Sequence, residues 1–345
     1  MNRRRALVGT VAAAGALIAG AATTAAFADS GDGANDTDST DTTQRPHDPG
    51  AARAVIKAIY QSQSSHAGGT WNSYVSVPDA DGTLVAAVDD NSAESVEAYS
   101  VNKVPVAIAV LDKVDRGLLT LDHQIEVPAD IVITDGDGIF PLDGAYPSTV
   151  TVGHALALLL SVSDDTCVRL CGLVAPAAEI NQILVDKGFP NTQVEPVANP
   201  NRFYLGKTTP KEMHELFVAL VNGTLLSADS TTYLLRILRS PVAFTDGIRR
   251  EMSSAERARI ATKAGWFDDG RNEAGIIFDT AGKPSLVYSL FAHGQSEADN
   301  FGATHPAVQA RAGMGRVWFD ALTYIAGDKS AHTMMAPAYH PSNGG

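Results

Sequence analysis

The 345-residue sequence has only two cysteines, Cys167 and Cys171, and they sit four positions apart in a stretch that reads as helix. A bridge between two such neighbours on one helix face is strained, so two buried thiols are expected and a disulfide-stapled scaffold is excluded. No second cluster of Cys or His accompanies them, and the nine histidines are scattered singly, so no metal site and no cofactor is expected. Asp135-Gly136-Asp137-Gly138 starts like a calcium loop, but Tyr146 stands where the bidentate Glu is required, so the segment reads as a turn. Basic residues are scarce too, 26 against 39 acidic ones for a formal charge of -13, a surface that repels nucleic acid. With 19% charged residues, 45% hydrophobic ones and no repeat of solenoid length, collagen, coiled coil and wholesale disorder are out.

What is present divides the chain unevenly. Residues 1–28 read as a cleaved export signal: a positive start at Arg3, Arg4 and Arg5, an apolar stretch, and Ala26-Phe27-Ala28 as the small-x-small cleavage pattern. Arg4-Arg5 followed by Ala6-Leu7-Val8 also resembles a twin-arginine signal, which exports folded protein. The competing reading is a retained anchor, since the apolar run is about long enough to span a bilayer. Cleavage removes three arginines, taking -13 to -16, and leaves a secreted or cell-envelope protein with no stable membrane anchor. Residues 29–50 are a polar, acidic linker unable to repay the entropy of ordering, and 328–345 read as a flexible tail. The folded domain is 51–327, expected as a monomer.

The order of elements in that domain predicts an α+β fold. A helix is expected over 51–62, then a hairpin of strands 70–77 and 83–88 around Pro78-Asp79-Ala80-Asp81-Gly82. Helices follow over 103–116, 152–160 and 164–174, and from Thr209-Pro210-Lys211-Glu212, a capping-box start, to Gly223. Strands return over 259–266, 273–278 and 285–293, and a helix over 306–326 closes the domain. The hairpin and the three late strands make one five-stranded antiparallel sheet, with the terminal helices on one face and the helical middle on the other. A site belongs where the helical block meets an edge strand.

Tyr99-Ser100-Val101-Asn102-Lys103 opens an apolar helix with a hydroxyl in the positive field of the helix start and an amine one turn on, a nucleophile beside a base. Alone this SxxK pattern is weak, and an exposed capping serine explains it as well. Ser163-Asp164-Asp165 lies 63 residues on, after an apolar helix, and Lys263-Ala264-Gly265 another 100 residues on, in an expected strand. Ser163 by itself reads as a helix cap. SxxK, then an SDN-like triplet, then a KTG-like triplet on a strand, resembles the class A β-lactamases and penicillin-binding proteins over nearly the whole domain.

That resemblance implies roles. Ser100 attacks a carbonyl and is acylated, Lys103 takes its proton, Ser163 relays a proton to the leaving nitrogen, and Lys263 biases Ser163 and attracts a substrate carboxylate. The amides of Ser100 and Trp266 form the oxyanion hole, with Ala264 and Gly265 beside it. Glu195-Pro196-Val197-Ala198-Asn199 matches the EPxxN context of the deacylating glutamate, which makes Glu195 the candidate water-activating base and Asn199 its neighbour. Only 15 residues separate Glu195 from Pro210, and an alternative register gives a shortened loop with no base. Two departures bear on the substrate. Asp165 replaces an amide and can pair with Lys103, holding it charged; Ala264 replaces a hydroxyl that would contact a carboxylate. Gly247-Ile248-Arg249-Arg250 offers a guanidinium for an anionic substrate or is a solvated turn, and Trp266, Phe267, Tyr146 and Phe140 line a pocket or fill the core. The leading expectation is an exported serine hydrolase acting on β-lactams. The alternatives are a peptidase, esterase or amidase acting on cell-wall D-amino-acid peptides, and a catalytically weakened binding or regulatory protein.

Overall fold

A computed structural model describes residues 46–325. The segments read as an export signal and a tail, and most of the expected linker, lie outside the described residues. Helix α1 (Pro49–Ala67) starts within the segment read as linker, because Asp48 caps it by accepting from the Ala51 amide at 2.8 Å and Pro49 occupies the first turn. It also runs five residues past the expected end, to a left-handed Gly68. Then come β1 (Thr70–Pro78), β2 (Leu84–Asp90) and the short β3 (Val96–Glu97). A 3₁₀ turn over Tyr99–Asn102 leads into α2 (Lys103–Asp115), in which every residue from Lys103 to Leu111 is buried. A helix apolar all round is a core helix, and α2 is the axle of the helical layer.

Around α2 follow β4 (Gln124–Val127), β5 (Ser148–Thr151), α3 (Val152–Ser161), α4 (Thr166–Val174) and α5 (Ala177–Asp186). Next are β6 (Gln193–Pro196), β7 (Phe203–Thr208), α6 (Pro210–Val221), α7 (Ala228–Leu238) and the one-turn α8 (Ser254–Arg257). The chain ends its described part with β8 (Ile260–Phe267), β9 (Gly270–Phe278), β10 (Pro284–His293) and α9 (Pro306–Ile325). The sequence did not predict β3, the β4–β5 and β6–β7 pairs, α5, α7 or α8. Half of the expected capping box forms at α6: Thr209 accepts from the Glu212 amide at 3.1 Å, whereas the Glu212 carboxylate accepts from Asn191 and Thr192.

The sheet is the expected one, antiparallel throughout with order β2-β1-β10-β9-β8, so the early hairpin joins the late strands through β1 and β10. Strand alternation sorts its side chains into two cores. Ile260, Ile277, Leu286, Tyr288 and Leu290 face Ile56, Trp318 and Phe319 of the terminal helices. Ala261, Ala274, Ile276, Val287 and Phe291 join the helical layer. Cys167 and Cys171 are free and buried in that second core, and burial pushes the Cys171 thiol up to about 12. Edge strand β8 therefore carries successive residues toward opposite layers, with Lys263 in step with Ala261.

Candidate active site

The turn that holds Ser100 is clamped from three sides. Buried Asn102 donates from Nδ2 to the carbonyls of Leu205 at 2.6 Å and Lys207 at 3.1 Å, and the Ala98 amide donates to Gly206 at 2.9 Å, tying the turn to β7. Asn272 of β9 donates to the Glu97 carbonyl at 2.9 Å. From the third side β8 lies flush against the turn, and a Cβ on Gly265 would stand 2.7 Å from the amide nitrogens of Ser100 and Val101. Only glycine permits this approach. It sets the Gly265–Trp266 backbone beside the Ser100 amide, the arrangement that a two-amide oxyanion hole needs.

One turn into α2, Lys103 is fully buried and its ammonium has three acceptors: the Ser163 carbonyl at 2.5 Å, Ser163 Oγ at 3.1 Å and Asp165 Oδ1 at 2.7 Å. Three acceptors use all three N–H bonds of an ammonium. The salt bridge with Asp165 is the one expected from the Asp-for-Asn departure. Asp165 Oδ2 accepts in turn from the Asp137 amide at 3.0 Å. The loop before α4 is held by Asp164, whose Oδ2 accepts from the Ile139 and Phe140 amides and whose Oδ1 accepts from the Cys167 amide. Asp164 thus does the capping that the sequence offered to Ser163. Ser163 itself is buried, takes a left-handed backbone at φ 57°, and gives its hydroxyl to the lysines.

Lys263 reaches Ser163 Oγ at 3.0 Å and the Ala264 carbonyl at 2.6 Å. Burial first, and the charge of Lys103 second, push its amine well below the ordinary lysine range, against the pull of Asp165, Asp137 and Glu273. Its Nζ donates to the Ala264 carbonyl and to Ser163 Oγ, which also accepts from Lys103. Ser163 Oγ thus lies between two amines, within hydrogen-bond reach of each.

The other expected residues divide. Trp266 is half-buried and lines a cleft of about 320 Å³ with Ser163, Lys263, Phe244 and Asp246. Ala264 is fully buried and meets the cluster through its carbonyl. Glu195 and Asn199 are not brought to the site. β6 pairs with β7, and alternation along β6 turns Val194 into the core and Glu195 outward, opposite Tyr204. Glu195 is exposed and has no hydrogen-bond or ion-pair partner among the described residues; Asn199 lies in the exposed β6–β7 connection, where Oδ1 accepts from the Asn201 amide. Arg249 is neither solvated nor facing substrate: it is fully buried and donates to the carbonyls of Arg239, Ser240 and Arg257, and burial lowers it to about 10. Arg250 is exposed beside Asp246. Phe140 and Tyr146 pack on each other at 6.5 Å, and exposed Phe267 stands 5.9 Å from Tyr99.

Asn102, Asp164 and Asp137 are the residues that sequence reasoning passed over. The first two lie inside the SxxK and SDD patterns, which is a usable signal. Asp137 stands at the solvent edge of the cluster, where partial enclosure of its carboxyl and then the charge of Asp165 raise it, against Lys103 and Lys263.

The family model described as the beta-lactamase enzyme family matches residues 51–322. Beta-lactamase VEB-1 of Pseudomonas aeruginosa is 25% identical over 195 residues, 52% of this chain and 64% of that protein, so the match spans less than two thirds of the relative. A crystal structure of beta-lactamase from Sphaerobacter thermophilus superposes with a TM-score of 0.64 at 22% identity, covering 77% of this chain and 96% of the other. A penicillin-G acyl-enzyme complex of a PBP-A mutant gives 0.61 at 18% identity, covering 76% and 96%. These structural likenesses show a common fold.

Proposed function

From the premise that the chain belongs to the beta-lactamase enzyme family, we propose that it is a serine hydrolase that forms an acyl-serine at Ser100 with β-lactams or related amides and releases it slowly. The observation that carries this reading is the unbroken chain Lys103–Ser163–Lys263, with contacts of 3.1 and 3.0 Å to one hydroxyl. Passing a proton from Lys103 to Ser163 Oγ while Ser163 gives its own to Lys263 leaves Lys103 neutral. It then accepts the Ser100 proton as Oγ attacks the carbonyl carbon. The oxyanion forms beside the Ser100 and Trp266 amides. On collapse the carbon–nitrogen bond breaks, Ser163 protonates the leaving nitrogen, and Lys263 returns a proton to Ser163. In a β-lactam the freed nitrogen stays tethered to the acyl group through the opened ring, so it swings toward the cleft bounded by Ser163, Lys263 and Trp266.

Slow release rests on Glu195, whose carboxylate is exposed on the outer side of β6 with no contact to Lys103 or Ser163. A second reading, a peptidase or esterase acting on D-amino-acid peptides, draws on the same exposure of Glu195. The export pattern of residues 1–28 supports work outside the cytoplasm, where both substrate classes occur. Intact-mass measurement after exposure to benzylpenicillin, with a chromogenic cephalosporin followed in parallel, tests the proposal. The expected result is an adduct that persists through many minutes and is absent in Ser100→Ala. No adduct at millimolar penicillin overturns acyl-serine chemistry; rapid turnover with no accumulated adduct overturns slow release.

A further inference from the structure

A second groove, of about 380 Å³, opens on the other side of the cluster, and Asp165 belongs to both. Its wall is apolar, with Ile133, Val168, Val197 and Leu205, but two guanidinium groups project from it, Arg169 and Arg202. Arg169 spends one nitrogen on the Ile131 carbonyl at 2.9 Å. The Arg202 guanidinium has no hydrogen-bond or ion-pair partner among the described residues, and its Nη1 is buried without an acceptor. Burial, and next the charge of Arg169, push Arg202 below its ordinary value, with Asp130 opposing. A buried donor lacking an acceptor beside a like charge is costly unless an anion completes it. Asp165 does not supply one: its oxygens accept from Lys103 and the Asp137 amide, and neither pairs with Arg202.

Resting on the acyl-serine reading, which directs the freed but tethered nitrogen toward Ser163 and Lys263, the acyl side chain is assigned to the Asp165 side. We propose that this groove selects acyl groups that carry their own carboxylate on an apolar stem, with Arg202 as the residue that reads it. The stem meets Val168, Val197 and Leu205, and the carboxylate takes two parallel N–H bonds from the guanidinium.

Benzylpenicillin and carbenicillin differ by one carboxylate on the acyl side chain, so their acylation rates at Ser100, followed by time-resolved intact mass, isolate the effect. Carbenicillin is expected to react about tenfold faster, the preference to disappear in Arg202→Gln, and part of it to survive in Arg202→Lys, which keeps the charge and loses the fork. Equal rates in the wild type, or an unchanged ratio in Arg202→Gln, overturn the proposal. If neither penicillin labels Ser100, the acyl-serine reading itself fails, and the groove is judged by a phenylmalonate titration of the methyl resonances of Val168 and Val197. Saturable shifts that are lost in Arg202→Gln sustain the anion site; no shifts end it.

Discussion

The two faces of the five-stranded sheet both bury ionisable groups, yet they use them differently. On the rear face Glu273 of β9 is fully buried and accepts from Thr262 Oγ1 at 2.8 Å, Tyr288 at 3.2 Å and the Ile248 amide, with Arg311 at 3.4 Å. Its oxygens are surrounded by donors, and no solvent reaches it. On the front face Lys103 and Lys263 are equally buried, but they converge on one hydroxyl at the head of an open cleft. Burial of charge therefore does not distinguish structure from chemistry here. What distinguishes them is whether the charged groups close on each other or share a proton-bearing atom that faces a space for substrate.

Substitutions on the two faces break or sharpen this contrast. Lys263→Met is expected to slow acylation of Ser100 by at least about 100-fold while leaving the thermal midpoint unchanged or raised, because it removes an amine whose charging burial opposes. A lowered midpoint with unaffected acylation would assign Lys263 to the rear-face category. Glu273→Ala should do the reverse and cost about 3–5 kcal/mol in urea unfolding, since it strands Arg311 and the other donors. Next is His214, buried in contact with Ser76 Oγ at 2.7 Å, its ring lowered to about 4 by burial. Between pH 6.5 and about 4 the unfolded chain binds the proton and the folded chain does not, so stability rises with pH across this window and falls on acidification. His214→Gln should remove about 2.5 kcal/mol of that pH dependence, measured by urea unfolding at pH 4.5 and 7.5. An unchanged slope would place the titration elsewhere. The smallest effect concerns Asp165→Asn, which frees Lys103 from a fixed countercharge and should speed acylation at neutral pH about tenfold. A slower variant would make the carboxylate a helper of the proton wire.

The front-face cluster was legible because each of its three patterns is local: Ser100 and Lys103 are one turn apart, and Ser163 and Lys263 each begin a short recognisable triplet. The five strands were legible for a similar reason, as tight turns join β1 to β2 and β9 to β10. Glu195 was left between two registers because EPxxN says nothing about pairing. The β6–β7 register decides which side of the strand faces the core, and that register is set by contacts of β7 with Asn102 and β3, nearly a hundred residues earlier. Arg249 misled for the same reason. Two adjacent arginines suggest solvent, and only the fold reveals three carbonyls waiting at Arg239, Ser240 and Arg257. Asp165 was read correctly because its partner, Lys103, already belonged to a motif.

The bare α-carbon of Gly265 has a practical corollary. One added methyl would prise strand and serine turn apart, since the neighbours it meets are the Ser100 and Val101 amide nitrogens and the Ala98 carbonyl oxygen, backbone atoms with no side-chain freedom to turn aside. Gly265→Ala should accordingly be silent toward penicillin, a control that separates labelling at Ser100 from labelling elsewhere.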